Sequence, residues 1–108
     1  VGQLAGSKEG RPAVSDVGRF CHLPAFAALS GEVYHINERI ITGDYARAKF
    51  ALPHVERHIL DYSEIMRKQG ADEVSIKPYV GAGDCIGLTF SYRIAEVTIE
   101  GSFIPRRP

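Results

Sequence analysis

Between Pro53 and Gly70 the apolar residues recur with the period of an α-helix, so this segment must bury one face. The apolar stripe consists of Val55, Ile59, Tyr62 and Met66. Proline suits the first turn of a helix, and glycine suits the position that ends one. The sequence therefore predicts a main helix over residues 54–69 and requires a second layer of structure that covers its apolar stripe.

From Glu73 to Ile104 the apolar period changes to two, which is typical of β-strands with one buried face. The phase of this alternation slips by one residue at Ala95-Glu96, which predicts a tight turn or a bulge there. A single strand from Cys85 to Ile104 would be about 66 Å long, too long for a domain of 108 residues. The second layer is therefore predicted to be an antiparallel sheet.

Residues 31–52 allow two interpretations. Apolar and polar residues alternate on both sides of the turn-forming Thr42-Gly43-Asp44 sequence, which favours a β-hairpin over residues 33–52. The competing interpretation begins a helix at Asp44. That helix would contain Pro53, at a cost of about 3 kcal/mol, so we favour the hairpin.

The predicted fold is therefore α+β, with two layers. An antiparallel sheet of about five strands packs on the main helix, and short N-terminal helices begin near Ser15 and Pro24, the second ending at Gly31. The glycine-containing residues 1–14 are predicted to be a flexible arm, residues 15–104 a single domain, and residues 105–108 a basic tail.

Composition excludes several classes of function. Thirteen Lys and Arg balance thirteen Asp and Glu, which argues against nucleic acid or an anionic membrane surface as the main partner. No apolar run approaches the roughly 20 residues of a membrane-spanning helix. Cys21 and Cys85 form no CxxC pair and suggest reduced thiols in the cytoplasm or the interior of an organelle. No cofactor motif is present, because the glycines of Gly81–Gly87 have the wrong spacing for a dinucleotide loop.

The main helix carries one candidate metal site. His54 and His58 are four residues apart, and Asp61 continues the same row, a geometry that can hold a divalent cation. The alternative is that both histidines are ordinary residues at the edge of the core, which is the commoner situation.

A central helix followed by strands, with Pro78 ahead of a Gly83-Asp84 turn, resembles the hotdog fold of acyl-thioester enzymes over residues 54–104. The resemblance implies a small enzyme that acts on an acyl thioester or related carbonyl compound. It further implies that Asp61 or Glu64, on the helix, serves as the catalytic base.

The leading hypothesis is a non-enzymatic interaction or assembly module that binds another copy of itself or another protein. Tyrosines among basic residues are typical of interfaces, and a leucine lies within the polar face of the main helix. The candidate interaction residues are Tyr45, Arg47, Leu60, Lys77, Tyr79 and Arg93.

Overall fold

The computed structural model describes residues 23–105, which form two helices followed by three strands. The elements are α1 (Pro24–Ile41), α2 (Ala48–Lys68), β1 (Asp72–Gly81), β2 (Cys85–Ile94) and β3 (Val97–Phe103). The strands form one antiparallel sheet in the order β1-β2-β3, and the helices cover one of its faces. The α+β class is thus confirmed, whereas the described residues hold three strands and not five, and a hotdog-like shape is not confirmed. Neither helix in this range is long and apolar enough to cross a membrane.

Helix α2 contains the apolar stripe that its sequence predicts. Val55, Ile59 and Met66 are buried, and Tyr62 packs against the same core. After the helix ends, Gly70 adopts a φ of 105°, a conformation that favours glycine.

The predicted β-hairpin over residues 33–52 is wrong. Residues 33–41 belong to α1 and residues 48–52 to α2, with a short connection between them. Ala48, Ala51 and Val55 are buried at helical spacing, and alanine favours helix. Burial of this face outweighs the bond that Pro53 loses inside the helix.

The predicted short helix ending at Gly31 is also wrong, because α1 continues through this glycine for ten more residues, to Ile41. Its buried stripe runs unbroken on both sides of the glycine. The stripe consists of Phe26, Leu29, Val33, Ile36 and Asn37. The predicted arm, the predicted helix near Ser15, Cys21, and residues 106–108 of the tail lie outside the described residues.

The core lies between α1, α2 and the inner face of the sheet. Strand β2 supplies the largest apolar row, in which Ile86, Leu88 and Tyr92 are fully buried. The Phe26 ring of α1 lies 4.7 Å from the Phe90 ring and 6.0 Å from the Phe103 ring, measured between centroids. Each such side chain contributes about 1.5–3 kcal/mol of transfer free energy when it is buried.

The slip at Ala95-Glu96 is a tight turn, as the sequence predicts. Ile94 pairs with Val97, and the two turn residues have φ values of 51° and 68°. Positive φ at both positions defines a type I′ turn, whose twist matches that of the flanking strands. A bulge also interrupts β1 between Asp72 and Ser75, where Glu73 has a φ of 52°.

Candidate functional site

The side of the sheet that faces away from the helices, called the outer face below, carries polar and charged side chains. The strand register arranges them in rows across the three strands. The outer face consists of Ser75, Lys77, Tyr79, Thr89, Ser91, Arg93, Thr98, Glu100 and Ser102. The alternation of the strands places every one of them opposite to the core.

Hydroxyl groups link the three strands on this face. The Thr89 and Ser102 hydroxyl oxygens lie 3.3 Å apart, and the Ser102 hydroxyl donates to the Tyr79 hydroxyl oxygen over 3.2 Å. The Tyr79 ring lies directly over Gly87, where a Cβ atom would come within 2.3 Å of the ring. Because Gly87 has no side chain, the Tyr79 ring can pack against the sheet at this position.

A shallow depression of about 420 Å³ lies in the middle of the outer face. Its lining consists of Ser75, Lys77, Thr89, Phe90, Ser91, Glu100 and Gly101. Small hydroxyl residues leave room at the centre, and Lys77 on β1 and Glu100 on β3 stand on opposite sides. Within residues 23–105 neither of these two charges forms an ion pair.

Arg93 is already engaged within the sheet. Its guanidinium donates to both carboxylate oxygens of Asp72, over 3.2 and 3.4 Å, and lies 3.5 Å from the Glu73 carboxylate. The hydrogen bond to Asp72, followed by the negative charges of Asp72 and Glu73, raises the pKa of Arg93 above its ordinary value. Lys77 is therefore the cation on this face whose charge is not matched within its own sheet.

The structure does not bring the six candidate interaction residues together. Lys77, Tyr79 and Arg93 lie on the outer face, whereas Leu60 is 71% exposed on α2, in the helical layer. The remaining two, Tyr45 and Arg47, lie in the connection between the helices.

The two residues of the connection are held by local contacts. The Arg39 guanidinium lies 5.0 Å from the centre of the Tyr45 ring, and the centres of the Tyr45 and His54 rings lie 5.8 Å apart. Arg47 lies 3.4 Å from the Asp84 carboxylate. Both side chains thus have a structural role at this end of the molecule.

The structure does not show a formed metal centre at the candidate ligands His54, His58 and Asp61 of α2. His54 and Asp61 are exposed, and His58 is half-buried with its ring 6.4 Å from that of Tyr62. Among the described residues no group of three or more His, Cys, Asp or Glu side chains is placed to hold a metal ion. A metal-binding row at His54, His58 and Asp61 stays a prediction.

The two carboxylates of the thioesterase hypothesis are also on the solvent side of α2. Asp61 and Glu64 are exposed, and the depression described above lies on the opposite layer of the molecule. Their role as a catalytic base stays a prediction.

Sequence reasoning did not identify Asn37, which is buried in α1. Its amide nitrogen donates to the Ile86 and Pro105 carbonyl oxygens over 3.0 and 3.4 Å, and its amide oxygen accepts from the Ile86 N–H over 2.8 Å. The available signal was its position four residues after Val33, on the buried stripe of a helix.

Asp84 is a second residue whose role was missed. Its carboxylate accepts a hydrogen bond from the Ala48 N–H at the start of α2, over 3.2 Å, and no side chain of the N-cap residue performs this task. The contact joins residues 36 positions apart, so no local pattern could have revealed it.

Comparisons of the chain with protein-family models, with curated proteins and with solved structures found no match.

Proposed function

We propose that this domain is a protein-interaction module that self-associates through the outer face of its sheet. The observation that carries the proposal concerns residues 23–105, in which the helices cover one face of the sheet only. The other face presents the Tyr79 ring, and also Lys77 and Glu100, which form no ion pair with any residue in this range. A half-covered sheet is a suitable platform for a second layer of protein.

The positions of Lys77 and Glu100 make the outer face complementary to itself. A two-fold axis that runs parallel to the strands, between two facing sheets, exchanges the two edges and places β1 of one copy over β3 of the other. Lys77 of each copy then faces Glu100 of the other copy, so the dimer contains this pair twice. The two residues of a pair are offset along the strands by one row of the sheet, about 7 Å, which is within reach of a lysine side chain.

The size of the face limits the affinity. Three strands of seven residues cover on the order of 350 Å² per copy, well below the roughly 800 Å² per partner of a standard interface. Exposed charge pairs contribute about 0.2–1 kcal/mol each and are screened by salt. We therefore expect a weak dimer that forms at high protein concentration and dissociates as salt is added.

The charges of the face disfavour nucleic acid. In the sum of charges, the two cations Lys77 and Arg93 are offset by the carboxylates of Glu100, Asp72 and Glu73, so these residues provide no excess of positive charge for phosphates. For the alternative of an enzyme acting on an acyl thioester, the candidate bases Asp61 and Glu64 do not line the depression on the outer face.

Charge reversal and its rescue test the proposal. Lys77→Glu and Glu100→Lys should each abolish dimerisation in sedimentation equilibrium, and the double variant should restore it because the complementary pair is rebuilt in the opposite sense. Lys68→Glu, at the exposed end of α2, is the matched control and should leave dimerisation unchanged. A monomer at all concentrations, or a dimer that is indifferent to all of these substitutions, would overturn the proposal.

A further inference from the structure

The turn before β3 determines which main-chain groups of β3 point towards β2 and which point away from the sheet. In a two-residue type I′ hairpin the flanking residues, Ile94 and Val97, form a hydrogen-bonded pair. Hydrogen-bonded pairs then recur at every second position of an antiparallel ladder. Thr98, Glu100 and Ser102 therefore point three N–H and three C=O groups away from β2.

Two independent contacts agree with this register. It directs the main-chain groups of Ile86 towards the β3 side, which is where Asn37 binds both of them. It also places Pro78 at a position of β1 whose main-chain groups point away from β2, so the missing N–H of proline removes no hydrogen bond between the strands.

The two edges of the sheet differ in how they are protected. The β1 edge carries the proline just named, the bulge between Asp72 and Ser75, and Lys77, all of which obstruct the addition of a strand. The β3 edge has neither proline nor bulge, and its seven residues pair with β2 in an unbroken register. Within residues 23–105 its backbone makes no hydrogen bond outside that ladder.

We propose that β3 binds an extended segment of another protein, which adds to the sheet as a fourth strand. Six main-chain groups supply the hydrogen bonds, as in other cases of strand addition. This site uses the edge of the sheet and its main chain, and the only residue that it shares with the dimer contacts proposed for the outer face is Glu100.

The side chains of β3 specify the chemistry of the segment. On the outer side Glu100 is exposed and unmatched, so a lysine or arginine of the segment lies across from it. On the inner side Val97 is 60% exposed, and Ile99 and Phe103 are half-buried, so apolar residues of the segment cover them. The segment therefore alternates apolar and polar residues and carries a basic residue near its centre.

A second copy of β3 fits this edge poorly. The antiparallel register that pairs all three outward residues places Thr98 across from Ser102, and Glu100 across from Glu100 of the other copy. Like charges directly opposite each other destabilise a strand pair, so the edge discriminates against self-pairing and favours a basic segment.

The test uses a displayed library of random heptapeptides, selected against the protein and against two variants. Glu100→Pro and Thr98→Pro each remove one outward N–H and leave the ladder to β2 intact, and unchanged circular dichroism verifies the fold. We expect the protein to enrich peptides with alternating apolar residues and a central Lys or Arg. Binding of these peptides should fall at least tenfold in both proline variants.

Glu100→Gln is the matched control, because it retains the N–H and removes only the charge. Its affinity for the enriched peptides should fall by no more than about fivefold. With the synthetic peptide bound, amide exchange should slow at Thr98, Glu100 and Ser102 and stay unchanged at Ile76 and Val80.

Three outcomes would overturn the inference: no peptide that distinguishes the protein from the proline variants, slowed exchange at the β1 edge in place of the β3 edge, or a dimer joined through β3. Loss of dimerisation in Lys77→Glu bears on the outer face alone, so the two proposals can fail separately.

Discussion

Asn37 completes the end of strand β2 in the way that a neighbouring strand would. Its side-chain amide donates to and accepts from the main chain of Ile86, at the point where Pro105 lies alongside without an N–H to offer. The residue is 3% exposed, so water cannot replace these bonds. One buried amide therefore ties α1 to the sheet.

We expect Asn37→Leu to lower the free energy of unfolding by about 2–3 kcal/mol. Leucine has a similar volume, but it leaves the buried N–H and C=O of Ile86 without this partner. Urea denaturation measures the change. The control is His35→Leu on the exposed side of the same helix, for which we expect less than about 0.5 kcal/mol. Equal effects at the two positions would contradict this role for Asn37.

Gly31 lies in the middle of α1, and no heavy atom comes within 4 Å of the place where its Cβ would be. Gly31→Ala should therefore raise the free energy of unfolding by about 0.5–1 kcal/mol, because glycine loses more backbone entropy in a helix than alanine does. Thermal denaturation should show a higher Tm. Gly70→Ala is the control with the opposite sign, since Gly70 has a φ of 105°.

At the scale of single elements, the turn between β2 and β3 is strained by its own sequence. Type I′ turns prefer Asn-Gly, whereas Ala95 and Glu96 hold positive φ values. The double substitution Ala95→Asn and Glu96→Gly should stabilise the protein by about 1–2 kcal/mol. Ala95→Val should destabilise it, because a β-branched residue fits positive φ worst. If neither variant alters the denaturation midpoint, the turn is not of this type.

The start of α2 depends on a residue of the β1–β2 turn. Asp84 accepts the hydrogen bond of the Ala48 N–H, which the N-cap residue Arg47 leaves unsatisfied. Asp84→Ala should cost about 1 kcal/mol of stability in urea denaturation. Asp84→Asn keeps an acceptor and tolerates the φ of 55°, so it should cost less. Equal costs for the two variants would show that charge, and not the cap, matters at this site, because both remove the charge and only Asp84→Asn keeps the acceptor.

At the scale of the whole molecule, the helices of residues 23–105 cover one face of the sheet and leave the other face uncovered, and within this range only the β1 edge carries features that obstruct strand addition. Exchange of backbone amides should report this asymmetry in the free protein. Along β3 we expect slow exchange at Ile99 and Gly101 and fast exchange at Thr98 and Glu100. Two-dimensional NMR in D₂O measures the pattern, and uniform protection along β3 would show that another segment already pairs with it.

The packing of the whole molecule explains which predictions of the fold were correct and which were wrong. The stripe at Val55, Ile59 and Met66 repeats often enough to identify α2 without knowledge of its partner. The predicted hairpin at residues 33–52 was wrong because a short alternating run of small and apolar residues is compatible with either a strand or a helix. The two are distinguished by the helical spacing of the buried positions, Val33, Ile36 and Asn37 in α1 and Ala48, Ala51 and Val55 in α2, and burial is a property of the folded chain.

Local patterns indicate the position in the fold of some of the candidate interaction residues but not of all of them. The alternation of β1 and β2 was sufficient to place Lys77, Tyr79 and Arg93 on the polar side of a sheet. It could not reveal that Leu60 lies on the helical layer away from them, or that Arg93 is paired with Asp72. Those facts depend on how the layers stack and on the register between strands.

The amino-acid sequence alone determined the amphipathic helix, the period of the strands and the turn at Ala95-Glu96, because each depends on neighbours within a few residues. Tertiary structure decided that α1 and α2 are continuous helices, that Asn37 binds Ile86, and that no other strand of residues 23–105 pairs with the second edge of β3. These features join segments far apart in the chain, so they exist only once the layers have packed.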